Sequence, residues 1–348
     1  MLATWALLRR RRILAADGHT AAGLEPHAAV ARSPAWPTVR SRPRPRLSAI
    51  GLNPLGRRLL ALNAIVLATD VFFFSIRGLS LDWSTAWLGA VLLAALFIVW
   101  LNFYVVPGPR EEWFVAEALF VVLLIILVTN VASPMQYGAV AMGAPYVDWW
   151  LAAADARLGV SVAAMAAWTR AHGAVALLAL LAYASLLPQF LFAVVALAAL
   201  RDRERLWEFA FHFHACLVVT VAALTIFPAV CPPAYYGFAP TIDMTRLIGQ
   251  IKGFHDGSLT VVKFNELEGL VSFPSFHVAG GLIVTWAFRR RTRILVPLLA
   301  LNAALVASTV VTGVHYLVDV IATLPLCAAS LAAYHWWGRS LVSGSEPA

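Results

Sequence analysis

Residues 113–132 read WFVAEALFVVLLIILVTNVA, a run with one charged side chain, Glu117. Inside a bilayer the backbone N–H and C=O groups meet no water. A run of about 20 apolar residues that satisfies them internally is therefore a membrane-spanning helix. The apolar positions are continuous rather than alternating with a period of two, which argues against a transmembrane barrel strand. Trp113 stands at the start of the run, where an interfacial aromatic belongs.

Working outward, similar runs lie at about Leu59–Ile76, Trp83–Val106, Ala174–Leu200, Trp207–Phe227, Phe273–Phe288, Ile294–Thr312 and Tyr316–Trp336. The 348 residues are 61% hydrophobic and 13% charged, whereas a soluble domain carries about 25% charged residues. The chain reads as all-α, a polytopic transmembrane helical bundle of about eight spans. Asp70 and the Pro188-Gln189 break inside spans read as packing or helix–helix hydrogen bonds, and His172, His212, His214 and His335 as packed or interfacial residues. Cys216, Cys231 and Cys327 form no CxxC pair, so neither a disulfide framework nor a zinc site is supported.

The net charge of +8 is not a nucleic-acid signal, because the arginines cluster at the ends of the apolar runs. Eight spans put both termini on one side. Of the 26 lysines and arginines, twenty fall on that side, including Arg201, Arg203, Arg205 and the block Arg289 to Arg293. Only Arg77, Arg157, Arg170, Arg246, Lys252 and Lys263 fall on the other. Basic residues favour the cytoplasmic side, so the termini are expected there. An Ala-, Leu- and Arg-rich composition suggests a bacterial plasma (inner) membrane.

Residues 1–55 are basic, rich in proline and poor in acids. They read as a disordered cytoplasmic tail or an over-extended start of the reading frame, and an organelle transit peptide has a similar composition. Residues 56–173 hold the N-terminal spans and, within 133–173, Asp148-Trp149-Trp150 and a helical, moderately amphipathic stretch through Asp155 and Arg157 that reads as an interfacial or re-entrant helix. Residues 174–338 form the expected catalytic core, and 339–348 a short tail. Residues 228–272 read as a long irregular outer loop.

The sixth span starts outside with Phe273-Pro274-Ser275-Phe276-His277. The seventh rises to Thr312-Gly313 and is followed at once by His315-Tyr316-Leu317-Val318-Asp319. Orientation alone thus brings His277 and His315 to the same depth on one face. Ionisable groups at that depth are costly and mark function. On a helix, His315 and Asp319 at i and i+4 share a face. An aspartate that accepts from one imidazole nitrogen leaves the other free to attack. His277 is placed to protonate a leaving oxygen. Ser275 can donate to a phosphoryl oxygen, and Pro274 suits the first turn of a helix whose unpaired N–H groups favour an anion.

At these residues the chain resembles the type 2 phosphatidic acid phosphatase superfamily. Pro-Ser-Phe-His at 274–277 is similar to its second signature, and the stretch from Ser308 to Asp319 is similar to its third. The resemblance covers about Ala174 to Trp336. It implies a six-helix catalytic core and a phosphohistidine intermediate, with His315 as nucleophile, Asp319 as its partner and His277 as general acid. Two features depart from the pattern. The family's first signature, with its lysine and arginine, has no counterpart in Phe227 to Pro233, and Thr309 stands where an arginine is usual. This lack of cations is similar to the branch containing inositol phosphorylceramide synthases and sphingomyelin synthases, which move a phospho-head-group between lipids. Positive charge must still balance the phosphoryl group. Lys263, Lys252 and Arg246 are the substrate-binding candidates, Lys263 first as the nearest in sequence to the motif.

The expected activity is therefore that of an integral membrane lipid phosphatase or an inositolphosphotransferase-like enzyme. Its substrate would be a phospholipid or polyprenyl-type lipid phosphate, its acceptor water or an alcohol, and its active site would face away from the cytoplasm. No metal or cofactor and no nucleic-acid partner is called for, and the oligomeric state is open. A non-catalytic transporter, or a scaffold with a decayed site, is the alternative. A transporter would need polar groups at mid-depth, where this sequence has few.

Overall fold

A computed structural model describes residues 53–105 and 113–343. The tail expected at 1–55 thus falls outside the described residues apart from 53–55, and 344–348 fall outside as well.

The first helix, α1 (Pro54–Arg77), opens on Asn53, whose Oδ1 accepts from the Gly56 amide at 2.6 Å, with proline in the first turn. A short strand β1 (Ser80–Asp82) leads to α2 (Trp87–Val105). α3 (Trp113–Ala141) runs beyond the expected end at 132, through Pro134. Then follow α4 (Asp148–Arg157) and α5 (Val162–Ala171), which meet at a bend of 81°. This agrees with a re-entrant or interfacial reading better than with a straight span. α6 (Gly173–Ala184) and α7 (Leu186–Ala199) are the two halves of the expected span 174–200, bent by 42°. Pro188 explains the break, since it has no N–H to donate and its ring crowds the carbonyl of Ala184 four residues back.

α8 (Arg203–Leu224) lies at the centre of the bundle and buries Leu206, Trp207, Phe209, Cys216 and Leu224. Residues 228–272, expected to be irregular, are built instead of α9 (Pro232–Tyr236), α10 (Thr245–Asp256) and β2 (Val261–Lys263). β2 pairs with β1 in parallel, Leu81 opposite Val262, in a two-stranded sheet. The partner strand lies at the other end of the chain, so no local pattern announces the pairing. Then come α11 (Phe276–Ala287), α12 (Thr292–Val311) and α13 (Leu317–Ala333), the last continued by a π-helical turn (Tyr334–Gly338) and the short α14 (Arg339–Ser343).

All eight expected runs are thus helical. Among the described residues, five helices are long and apolar enough to cross a membrane, or up to seven if each bent pair is one span. α2 and α11 are shorter apolar helices. Packing in such a bundle rests on close van der Waals contact, because lipid tails are as apolar as leucine. Gly280 shows how close the contact is: a Cβ there would stand 2.7 Å from the Phe190 ring and 2.8 Å from Leu186. α11 therefore meets α7 along a surface that only glycine permits.

Candidate active site

The site forms where α11 starts, α12 ends and α13 starts. Ser275 caps α11, its Oγ accepting from the Val278 amide at 3.3 Å. Pro274 therefore precedes the cap rather than lying in the first turn. The chain leaves α12 through Gly313 at φ 84°, where a Cβ would also stand 2.8 Å from the Phe238 ring. This turn returns the His315 amide to the Thr309 carbonyl at 2.9 Å. His315 stands before α13, not on it, which corrects the helical i, i+4 reading. Asp319 reaches it by folding back over the helix start, where its Oδ2 also accepts from the Tyr316 amide at 2.9 Å.

Two acceptors face His315 Nδ1, the Ser272 carbonyl at 3.0 Å and Asp319 Oδ2 at 3.3 Å. Neither can donate, so the proton sits on Nδ1 and Nε2 carries the lone pair. Ser275 Oγ lies 3.2 Å from Nε2 and Ser272 Oγ donates to Asp319 Oδ2 at 3.3 Å. The His277 and His315 ring centres are 6.4 Å apart. Both rings line a cavity of about 340 Å³. Ser275 is wholly buried, with its hydroxyl taken up by the cap and by His315. Its place fits holding the helix start and the imidazole together rather than meeting a substrate.

Several residues outside the motifs hold this geometry. Asp148 Oδ2 accepts from the Val230 amide at 2.8 Å, and its Oδ1 accepts from the Cys231 amide and the Tyr316 hydroxyl, each at 3.0 Å. The two carboxylate oxygens of Asp155 accept from the Leu317 and Val318 amides, both at 2.9 Å, at the N-terminus of α13. Negative groups there satisfy orphan N–H donors and suit the helix dipole. Asp148, Leu151, Ala152 and Asp155 are the buried face of α4, a spacing of i, i+3, i+4, i+7 that places two acids on a packed stripe. That was the available signal in the sequence. Tyr183 stacks on His277 with ring centres 4.2 Å apart and brings its hydroxyl to 3.4 Å from Nδ1. Nothing in its surroundings in the sequence distinguished it. Cys231 also lines the cavity, and burial pushes its thiol up to about 12.

The candidate cations are placed differently from one another. Lys263 Nζ lies 3.2 Å from Glu266 Oε1, and both residues line a separate cavity. Lys252 is exposed and is not among the residues lining the cavity with the histidines. Arg246 Nη1 lies 3.5 Å from Glu268, which does line that cavity. Of the three, Arg246 is the one paired with a residue of that cavity's lining. Among the described residues, no three His, Cys, Asp or Glu side chains group as a metal site would.

Residues 149–333 match the family model described as the PAP2 superfamily. The match starts within α4, so it takes in the segment that carries Asp155, ahead of the boundary expected at 174. No curated protein and no solved structure matches the chain.

Proposed function

The chain belongs to the PAP2 superfamily, and from that premise we propose that it is a phosphotransferase passing a phospho-head-group from a phospholipid to an alcohol, in the manner of an inositolphosphotransferase. Membership makes it a multi-pass membrane enzyme acting on lipid phosphates, as a phosphatase or a phosphotransferase. The transferase reading is supported by the lining of the cavity, which carries two histidines and neither of the family's phosphate-holding cations.

In the proposed reaction His315 Nε2 attacks phosphorus. The N–P bond forms as the bond to the first lipid's oxygen breaks, and His277, protonated once the substrate's negative charge lies beside it, gives its proton to that oxygen. The acceptor alcohol then attacks phosphorus, the N–P bond breaks, and His277 takes the alcohol's proton. Asp319 and the Ser272 carbonyl hold the imidazole in the reactive tautomer and Asp319 offsets its charge while it is phosphorylated. Arg246 is the cation assigned to the phosphoryl oxygens, drawn from Glu268 when substrate enters. The single observation that carries the reading is the pair of acceptors on His315 Nδ1.

His315→Ala in membranes supplied with head-group-labelled phospholipid tests it. Transfer and release of label should fall to background; unchanged transfer would remove His315 from the mechanism. The site is assigned to the extracytoplasmic face. The three cysteines are buried, so a Ser258→Cys variant gives a clean probe. It should react with an impermeant maleimide from outside intact cells, and labelling only in inverted vesicles would reverse the topology.

A further inference from the structure

A second cavity, of about 700 Å³, lies between α1, α2 and α3, roofed by the chain around Phe264. None of these three helices falls within the family match at 149–333. Its walls are mostly apolar, with Phe74, Trp83 and Leu267 among them. Within the size range of small-molecule sites, it opens between helices whose outer faces meet lipid. The exception in its walls is Asp70, in the interior of the spanning helix α1. Asp70 is 7% exposed, and its Oδ1 is buried without a hydrogen bond. Among the described residues no ion pair reaches it. The sequence reading expected packing or a helix–helix hydrogen bond here; among the described residues Asp70 Oδ1 has no hydrogen-bond partner. A carboxyl group in an apolar setting needs a partner, because nothing replaces the water it has lost. The partner must come from whatever fills the cavity.

The chemistry of the walls defines that occupant. The cavity sits at membrane depth, so the occupant is an apolar chain taken from the bilayer. Besides the one carboxyl, its polar lining is neutral, Asn130 among it. A buried ammonium would have to be desolvated to meet that single group, whereas a hydroxyl donates to it at lower cost. We infer that this cavity is a binding site for a lipid carrying a free hydroxyl on an apolar chain, with the hydroxyl donating to Asp70. The site neighbours the catalytic cavity: Leu267 and Pro134 line the one, Glu268 and Gln136 the other. A hydroxylated lipid held here waits beside the centre that the proposed reaction requires an alcohol to reach. The binding itself is read without turnover, so it stands or falls separately from phosphotransfer.

The test uses the purified full chain in detergent with a diazirine-bearing long-chain alcohol, and crosslinked peptides are mapped by mass spectrometry. Crosslinks should fall within 67–93, 130–134 or 264–267, and both dodecanol and dioleoylglycerol should compete. If dodecanol alone competes, the ligand is a simple alcohol; if dioleoylglycerol is the stronger, it is a glycerolipid; either supports the inference. Asp70→Leu should cut the specific crosslinking about tenfold, the worth of one good hydrogen bond, and Asp70→Asn, which still accepts, should keep part of it. Asp70→Leu should also unfold at a temperature no lower than the native protein, which separates lost binding from lost fold. Equal crosslinking in Asp70→Leu, equal competition by dodecane, competition by dodecylamine alone, or crosslinks confined to the catalytic cavity would each overturn the inference.

Discussion

The two ends of α11 treat charge in opposite ways. At its far end Glu208 is buried and closely matched. Arg205 donates to it at 2.7 Å, Arg289 at 2.8 Å and 3.1 Å, and the Trp286 indole at 3.1 Å. Nearby, Glu117 takes Arg203 and the Trp207 indole, both at 2.7 Å. At the near end stand two histidines and Asp319, whose Oδ1 is buried with no hydrogen bond, and no lysine or arginine lines the cavity. One end spends its cations on joining α8, α11 and α3. The other leaves its polar groups open. A bundle held at one end by matched ions can keep unmatched groups at the other, since the start of α13 there is braced by Asp148 and Asp155 and not by Asp319 alone.

This contrast can be broken from either end. The largest effect belongs to the site. His277→Gln should lower transfer by about 10²–10⁴-fold, the usual worth of a general acid, while the unfolding temperature stays close to native. Parallel rate and unfolding measurements check this, and an equal loss of stability would make His277 a packing residue. Next comes the matched end. Glu208→Ala leaves Arg205 buried without its partner and should cost about 3–5 kcal/mol of stability. Turnover per folded molecule should hardly change, as read by chemical unfolding in detergent beside active-fraction assays.

The bracing acids fall between the two. Asp155→Asn keeps one acceptor of two for the Leu317 and Val318 amides, and should cost about 1–3 kcal/mol together with a fall in kcat at little-changed KM. A change in KM alone would mean that Asp155 acts on substrate instead. The smallest effect is at Cys231. Burial pushes its thiol up to about 12, so the reactive thiolate is scarce at neutral pH. Maleimide should leave it unmodified at pH 7.5 by intact mass, and rapid modification would show the cavity wall to be more open than described.

Much of this was legible in the sequence for physical reasons. Apolar run length fixes helices in a bilayer, and each of the eight runs is helical, the run 174–200 as two helices. The pairing of the 274–277 and 315–319 motifs follows from span direction alone. What the sequence hid is of two kinds. Contacts between distant segments carry no local pattern: Asp155 and Leu317 are 162 positions apart, and Asp148 and Tyr316 are 168 apart. Nor does proximity in sequence rank side chains in space, since Lys263, nearer the motif, pairs with Glu266 at a separate cavity, whereas Arg246 pairs with Glu268 of the cavity that holds the histidines. The exit turn at Gly313 likewise replaces a helical i, i+4 pair by a histidine outside the helix.

The most direct measurement is of the covalent intermediate. The purified enzyme is mixed with phospholipid labelled in its phosphate, quenched in alkali, which preserves phosphohistidine, and digested. The account predicts label on the peptide holding His315, lost on acid treatment and chased off by an alcohol acceptor. Label on any other residue, or turnover with no labelled peptide at all, would contradict it.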